Sequence, residues 1–214
     1  MTHDELVTSI RSGVSALGQS LPDAATEQLA LLLEELEKWS RRMNLTAIRA
    51  LPEMVPGHVL DSLSIRPYLE GDRVIDIGTG AGFPGLPLAI AEPGRQFVLL
   101  DSNAKKVGFV QHVINRLGLA NAEAVRARAE DYAPGRGFGT VVARAVTSTA
   151  GLLQFGAHLL DEGGVFLAMK GKHPRAELQA LPADWTYSVT ELRVPGLEDR
   201  ARHLVALKRG TSGK

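Results

Sequence analysis

A glycine-rich segment preceded by an acid is the strongest chemical feature of the sequence. Residues 74–85 read VIDIGTGAGFPG, so Asp76 precedes a loop that contains Gly78 and Gly80. Glycines in such a loop permit positive φ and let a ligand lie against the backbone. Phe83 occupies the place of the third glycine of the dinucleotide motif GxGxxG, and no GK[ST] ending follows. The acid suits a ligand with a cationic end, such as S-adenosylmethionine, which carries an ammonium and a sulfonium group and no phosphate.

Two more groups follow the next apolar segments. Asp101 ends the second of these segments, where a carboxylate can accept both ribose hydroxyls of a nucleoside cofactor. The alternative is an N-cap of the following helix, for which Ser102 and Asn103 also qualify. The glycine loop favours ribose binding. Ala129 and Glu130 follow the third segment, where they are either neighbours of the adenine or part of an ordinary polar loop.

Basic side chains fall into two kinds by their surroundings. Arg144 lies inside the apolar segment at 141–146. Packing does not explain a charged side chain there, so we predict that Arg144 belongs to the cofactor and substrate site. Lys170 ends another apolar segment. Contacts to RNA phosphates are predicted, with solvated surface charge as the alternative, for Lys170, Lys172, Arg175, Arg200 and Arg202.

Short apolar segments alternate with amphipathic stretches after about residue 72, which predicts parallel strands joined by helices. The predicted strands are 73–77, 97–101, 123–128, 140–143 and 165–169, with 187–194 and 203–208 as a closing antiparallel pair. One helix is expected to end at Gly118, and another at Gly163 and Gly164. Leucines at spacings of three and four predict a packing helix before the sheet, which starts near a capping Ser20. The fold expected is a Rossmann-like α/β domain with a seven-stranded, mostly parallel sheet and an N-terminal helical extension.

The amino-acid composition limits the class of protein further. The chain has 214 residues, 44% of them hydrophobic and 22% charged, which is typical of a folded domain. The absence of cysteine excludes disulfides and thiolate zinc sites, and no metal site is expected. Neither a signal peptide nor a membrane span is recognisable, so a cytoplasmic protein is expected. Although the net charge is zero, the first forty residues carry seven acids and two basic residues. The remainder therefore has a mild positive bias, compatible with phosphate contacts.

The motifs together resemble one family over about residues 28–208. They are MNLTAI at 43–48, HVLDS at 58–62, GTGAGFPGLPLA at 78–89, LLDSNAKKVGFV at 99–110, and Ala143-Arg144 ahead of MKGK at 169–172. This combination is similar to the glucose-inhibited division protein B family, also called ribosomal RNA small subunit methyltransferase G. The resemblance implies a class I methyltransferase that modifies guanine N7 in a 16S rRNA loop near the decoding centre. Its cofactor is S-adenosylmethionine, and its product is S-adenosylhomocysteine.

The resemblance also implies roles for individual residues. Cofactor contacts are implied for Gly78, Phe83, Asp101, Ala129, Glu130 and Arg144. A basic pocket is implied for Arg128, Arg144, Lys170 and either Arg200 or Arg202, with Asn44 and His58 nearby. Among the scattered histidines, only His58 is raised by this resemblance above a surface or packing role. The partner implied is 16S rRNA within the small ribosomal subunit, and a monomer is expected.

The absence of an evident general base agrees with an N7 target. N7 has a free lone pair and accepts a methyl group without losing a proton, so alignment and desolvation are expected to carry catalysis. Three alternatives are kept: a nicotinamide-dependent dehydrogenase, a non-catalytic RNA-binding module, and a methyltransferase for another RNA, a protein or a small molecule. The expected division is a helical extension at 1–68, a methyltransferase domain at 69–210 and a flexible tail at 211–214.

Overall fold

A computed structural model describes residues 1–144 and 148–210, so the predicted tail at 211–214 lies outside the described residues. Helices occupy the chain before the sheet and connect its strands. The helical segments are α1 (His3–Ala16), α2 (Asp23–Met43), α3 (Leu51–Met54), a π-helical turn (Val55–Leu60), α4 (Asp61–Leu63), a 3-10 turn (Arg66–Tyr68), α5 (Gly85–Ala91), α6 (Ala104–Leu117), a 3-10 turn (Ala129–Asp131), α7 (Thr149–Gly156), a 3-10 turn (Ala157–Leu159) and α8 (Arg175–Leu178). The strands are β1 (Arg73–Ile77), β2 (Gln96–Asp101), β3 (Ala122–Arg126), β4 (Phe138–Arg144), β5 (Leu160–Lys170), β6 (Trp185–Glu191) and β7 (His203–Arg209).

The seven strands form one sheet in the order β3-β2-β1-β4-β5-β7-β6. The first five are mutually parallel, while β7 runs antiparallel to β5 and β6 antiparallel to β7. This confirms the predicted fold class. The chain winds in opposite directions from β1 and β4, and ligands of open α/β sheets bind at the carboxyl ends of the strands at such a point.

The register of the three central strands brings the predicted site together. Ile77, the last residue of β1, pairs with Leu100 on one side and with Ala143 on the other. Asp101 and Arg144 each follow those partners by one residue, so they flank the glycine loop that starts after Ile77. Sequence-distant groups are thereby gathered at one edge of the sheet.

The core lies on both faces of the sheet. One side is closed by α2, α5 and α6, and the other by α7 and its neighbours. The predicted stripe of α2 is confirmed, because its four leucines at 29, 32, 33 and 36 have no exposed surface. Burial of one such side chain contributes about 1.5–3 kcal/mol. Since the N-terminal helices share this core with the sheet, the division between residues 68 and 69 stays a prediction.

Three local predictions are wrong. Ser20 does not cap α2, which begins after Pro22 with no side-chain cap. Gly163 and Gly164 do not end a helix; the helical segment ends at Leu159 and both glycines lie inside β5. The strand predicted at 187–194 is shifted to Trp185–Glu191. Within the described residues, no helix has the length and apolar character to span a membrane.

Candidate active site

The loop after β1 is shaped by its glycines and held from below by Asp76. Gly78 and Gly80 have φ values of 67° and 63°, which non-glycine residues seldom adopt. The Asp76 carboxylate accepts hydrogen bonds at Oδ2 from Thr79 Oγ1 (2.6 Å) and from the Gly85 backbone N–H (2.8 Å). A Cβ at Gly85 would overlap the side chain of Leu99. The loop is therefore closely packed on the strand ends.

Burial makes Asp76 an unusual carboxyl group. Only 1% of the residue is exposed. Desolvation raises the pKa of Asp76 from 3.8 to about 6, although the hydrogen bonds from Thr79 and Gly85 act in the opposite direction. Its Oδ1 has no hydrogen-bond partner among the described residues. Asp76 lies beneath the loop and supports it, so its direct contact with a bound cofactor stays a prediction.

Asp101 is held on the other side of the same loop. Its Oδ2 accepts from Gly80 N–H (2.9 Å) and its Oδ1 from Asn103 N–H (2.8 Å). The cap of α6 is Asn103, which accepts from the backbone N–H groups of Lys105 and Lys106. The alternative of Asp101 as the helix cap is therefore wrong. A carboxylate has further lone pairs, so Asp101 can still accept ribose hydroxyls.

These strand ends surround a cavity of about 660 Å³, called here the first cavity. It gathers most of the predicted cofactor residues: Gly78, Gly80, Phe83, Asp101, Ala129, Glu130 and Arg144, together with Arg128 and His58. Arg128 lies at the rim with its side chain 70% exposed, 3.8 Å from Glu130. The geometry thus brings together side chains from four strand ends and from the helical extension.

Sequence reasoning missed part of the wall of the first cavity. The missed residues include Leu45, Thr46, Lys106, Leu152 and Phe155. Phe155, in α7, is 38% exposed, whereas Leu152 in the same helix is buried. The sequence offered a signal for Phe155, because its helix follows the predicted strand that leads to Arg144 and could therefore be expected to reach the site. An apolar side chain that remains open beside polar strand ends is suited to stack on a planar ring.

His58 forms the inner wall of the first cavity. Its ring stacks on Phe83 with centroids 4.6 Å apart, and its Nε2 lies 2.8 Å from Thr46 Oγ1. Burial, with a smaller contribution from the nearby Arg144 cation, lowers the pKa of His58 from 6.5 to about 3. The ring is therefore neutral at ordinary pH. A group with so low a pKa is a poor general base.

Arg144 lies at the junction of the first cavity with a second one. It donates from Nη1 to Asp61 Oδ2 (3.3 Å) and to the Gly57 carbonyl (3.4 Å), and its guanidinium lies 5.7 Å from the centroid of the Phe83 ring. The second cavity measures about 410 Å³ and shares His58 and Arg144 with the first. Its walls also include Asp61, Met169, Lys170 and Arg202.

The predicted RNA-binding residues are not all gathered at this junction. Lys170 and Arg202 line the second cavity, where Lys170 pairs with Glu177 at 2.8 Å. Lys172 and Arg200 are exposed, and Arg200 lines a different depression. Asn44 is exposed at the end of α2 and accepts from Arg49. Their contacts with RNA stay predictions. Residues 1–144 and 148–210 contain no cluster of three side chains suited to a metal ion.

Solved structures with the same architecture identify the fold. An O-methyltransferase from Bacillus cereus in complex with S-adenosylhomocysteine has a TM-score of 0.59 and 17% identity, covering 84% of this chain and 91% of that one. The O-methyltransferase TomG from Streptomyces achromogenes, in complex with S-adenosylmethionine, has a TM-score of 0.58 and 16% identity, covering 84% and 89%. The fold is that of the class I S-adenosylmethionine-dependent methyltransferases.

The particular family follows from closer similarity in sequence. The family model described as rRNA small subunit methyltransferase G matches residues 25–205. A protein from Alkalilimnicola ehrlichii named ribosomal RNA small subunit methyltransferase G is 47% identical to this chain, over 96% of this chain and 93% of the relative. A protein of the same name from Methylococcus capsulatus is 49% identical, over 93% of this chain and 97% of the relative. The chain belongs to this family. The family predicted from the motifs is thereby confirmed, and the predicted cofactor agrees with it.

Proposed function

We propose that the protein transfers a methyl group from S-adenosylmethionine to N7 of a guanine in 16S rRNA, within the small ribosomal subunit in the cytoplasm. The observation that carries the proposal is the junction of two cavities at Arg144 and His58. One cavity has the features of a nucleoside-cofactor site. The other is adjacent, and the described residues that line both are His58, whose pKa is lowered to about 3, and Arg144, neither of which is suited to accept a proton at neutral pH.

The residues of the first cavity fit the cofactor. The space beside Gly80 is open, because a Cβ built there would have only the Gly78 carbonyl oxygen within 4.0 Å, so a ligand has room to lie against this part of the backbone. Asp101 faces the cavity with lone pairs for the ribose hydroxyls. Ala129 and Glu130 line the part of the cavity beyond the third strand, and Phe155 offers an apolar face for the adenine.

The second cavity fits a planar base better than a cofactor. Its volume of about 410 Å³ exceeds that of a nucleobase. Met169 and Ile48 provide apolar wall, and Arg144 and Lys170 provide donors for O6, the acceptor beside N7 on the edge of guanine, which leaves the N7 lone pair free. A base that reaches this cavity must be unpaired and turned out of its stack. A guanine in an rRNA loop meets that condition.

Methyl transfer to N7 explains the chemistry of the shared wall. When bound, S-adenosylmethionine supplies a methyl group on a positively charged sulfur, which keeps the bonding pair as N7 contributes its lone pair to the new bond. No proton leaves the guanine, so no base is required. His58 is neutral and engaged with Thr46, and it stacks on Phe83 instead of exchanging a proton. The protein's task is alignment of the two reactants with exclusion of water.

Exposed basic side chains would hold the rest of the RNA. Arg128 is exposed at the rim of the first cavity, and Lys172 is exposed two residues beyond Lys170. Arg200 is exposed in a separate depression that shares Ile48 and Gly57 with the second cavity, and Asn44 is exposed at the end of α2. Contacts of this kind fix the position of the RNA backbone and carry little sequence information. We propose that they position the loop while the second cavity selects the base.

The test is to map the methylated atom directly. The protein is incubated with S-adenosylmethionine labelled in its methyl group and with either small ribosomal subunits or naked 16S rRNA that lack the modification. We expect one 7-methylguanosine in 16S rRNA, and an Asp101→Ala variant with reduced labelling at limiting cofactor serves as the matched control. Label in a different base, in another atom of guanine or in a ribosomal protein would overturn the proposal.

A further inference from the structure

A carboxylate lies between the two arginines of the second cavity. Asp61, in α4, accepts a hydrogen bond from Arg144 Nη1 at Oδ2 (3.3 Å) and from Arg202 Nε at Oδ1 (3.0 Å). Its side chain is only 5% exposed, and the two arginine side chains are 23% and 24% exposed. Arg144 ends β4 and Arg202 immediately precedes β7, so Asp61 joins three separate parts of the chain.

We infer that Asp61 is a positioning residue for methyl transfer, a role that rests on the proposed function. A guanidinium has five donors and no acceptor, so Arg144 and Arg202 cannot bind each other. Two cations in a poorly hydrated wall also repel each other with little screening. A carboxylate that gives one oxygen to each arginine fixes both. It thereby holds Arg144 at the junction of the two cavities and Arg202 in the wall of the second.

The charge of Asp61 matters as well as its shape. The two arginines and Asp61 together carry a charge of +1, whereas the arginines alone would carry +2. Methyl transfer moves a positive charge from the donor sulfur to the guanine ring. An additional uncompensated cation in the wall would oppose the arrival of that charge, because charge that develops in the transition state is sensitive to fixed charges around it.

The chain offers a matched control at the opposite edge of the sheet. Glu92 also lies between two arginines, accepting from Arg66 Nε (2.6 Å) and Arg95 Nε (3.2 Å). Its side chain is 24% exposed, and it lies after α5, ahead of the start of β2. Glu92 therefore reproduces the contact of a carboxylate with two arginines, away from both cavities.

Single-turnover methylation separates the two sites. Rates are measured with saturating small subunits and S-adenosylmethionine for wild type, Asp61→Asn and Glu92→Gln. We expect Asp61→Asn to lower the rate by about ten-fold or more and Glu92→Gln by less than about two-fold. An Asp61→Asn rate within two-fold of wild type, or equal losses in both variants, would overturn the positioning role alone. A wild-type protein inactive on small subunits would overturn the proposed function itself.

A double variant tests whether Asp61 acts through Arg144, and it remains informative if Asp61→Asn alone does not fold. In the Arg144→Ala background Arg202 is the remaining one of the two arginine partners of Asp61, so adding Asp61→Asn leaves a charge of +1 on this group of three residues, as in wild type. We expect that addition to lower the rate of Arg144→Ala by less than about three-fold. A further loss of about ten-fold would mean that Asp61 acts independently of Arg144 and would overturn the part of the inference that assigns its effect to the position of Arg144.

Discussion

Replacing His58 with glutamine tests the electrostatics of the site through the stability of the protein. The ring is buried, with 6% of the residue exposed, and its Nδ1 has no hydrogen-bond partner among the described residues. Burial and the Arg144 cation hold the pKa of His58 at about 3, below its ordinary 6.5. Between about pH 3 and pH 6.5, His58 is therefore mostly protonated in the unfolded chain and mostly neutral in the folded protein.

The sign and size of the effect follow from this difference. A histidine whose folded pKa is lowered contributes stability that is present above its unfolded pKa and is lost as the pH falls toward the folded pKa. The slope for one such proton is about 1.4 kcal/mol per pH unit. Because the unfolded histidine is half protonated at pH 6.5, wild type should lose about 2.3 kcal/mol at this residue between pH 6.5 and about 4.5 that His58→Gln does not lose. Asp76 also titrates in this range, but it does so in both proteins and cancels in the comparison.

Urea unfolding of both proteins at several pH values in that range measures the difference. His3→Gln is the matched control with the opposite sign. Hydrogen bonds to Glu27 and then Glu34 raise the pKa of His3, so its contribution is present at low pH and is lost as the pH rises. A constant difference in unfolding free energy between wild type and His58→Gln across the range would show that His58 accepts a proton in the folded state, and would refute the argument for a neutral ring.

Three further outcomes are expected. Asp101→Ala weakens binding of S-adenosylhomocysteine in calorimetry by ~1–3 kcal/mol, because charge-assisted hydrogen bonds to the ribose are lost; unchanged affinity would remove Asp101 from the site. Arg144→Ala lowers the single-turnover rate about ten-fold or more. Arg73→Ala, which removes an arginine 4.5 Å from the centroid of the Phe138 ring far from the cavities, serves as its control and should leave that rate intact. Lys172→Ala weakens RNA binding and reduces the slope of log affinity against log salt by about one; an unchanged slope would show that Lys172 touches no phosphate.

Much of the site could be predicted because parallel strands end at one edge. The alternation of apolar segments with amphipathic stretches predicted the sheet, and the residues that directly follow those segments were then expected to converge. Asp101, Ala129 and Arg144 do lie around the first cavity. The glycine loop could be predicted equally well, because the positive φ at Gly78 and Gly80 favours glycine independently of the surrounding tertiary structure.

Local signals failed where one residue type serves two structural purposes. Gly163 and Gly164 were interpreted as a helix end, yet they lie in β5, where a Cβ on Gly164 would come within 3.0 Å of the Phe138 carbonyl of the neighbouring strand. The register between β4 and β5 shifts at this place. A glycine that permits close approach of two backbones gives the same sequence signal as one that ends a helix.

The sequence by itself determined the sheet, the glycine loop, the strand-end residues and the family to which the chain belongs. The tertiary structure alone decided the state and partners of the charged side chains. Burial against Phe83 makes His58 neutral, and Arg202 meets Asp61 although the two lie 141 residues apart. The physical reason is the distance along the sequence over which each effect acts: periodicity and turn chemistry involve only a few neighbouring residues, so the local sequence shows them. Desolvation and ion pairing depend on which distant segments the fold brings together, and short-range patterns carry no record of that.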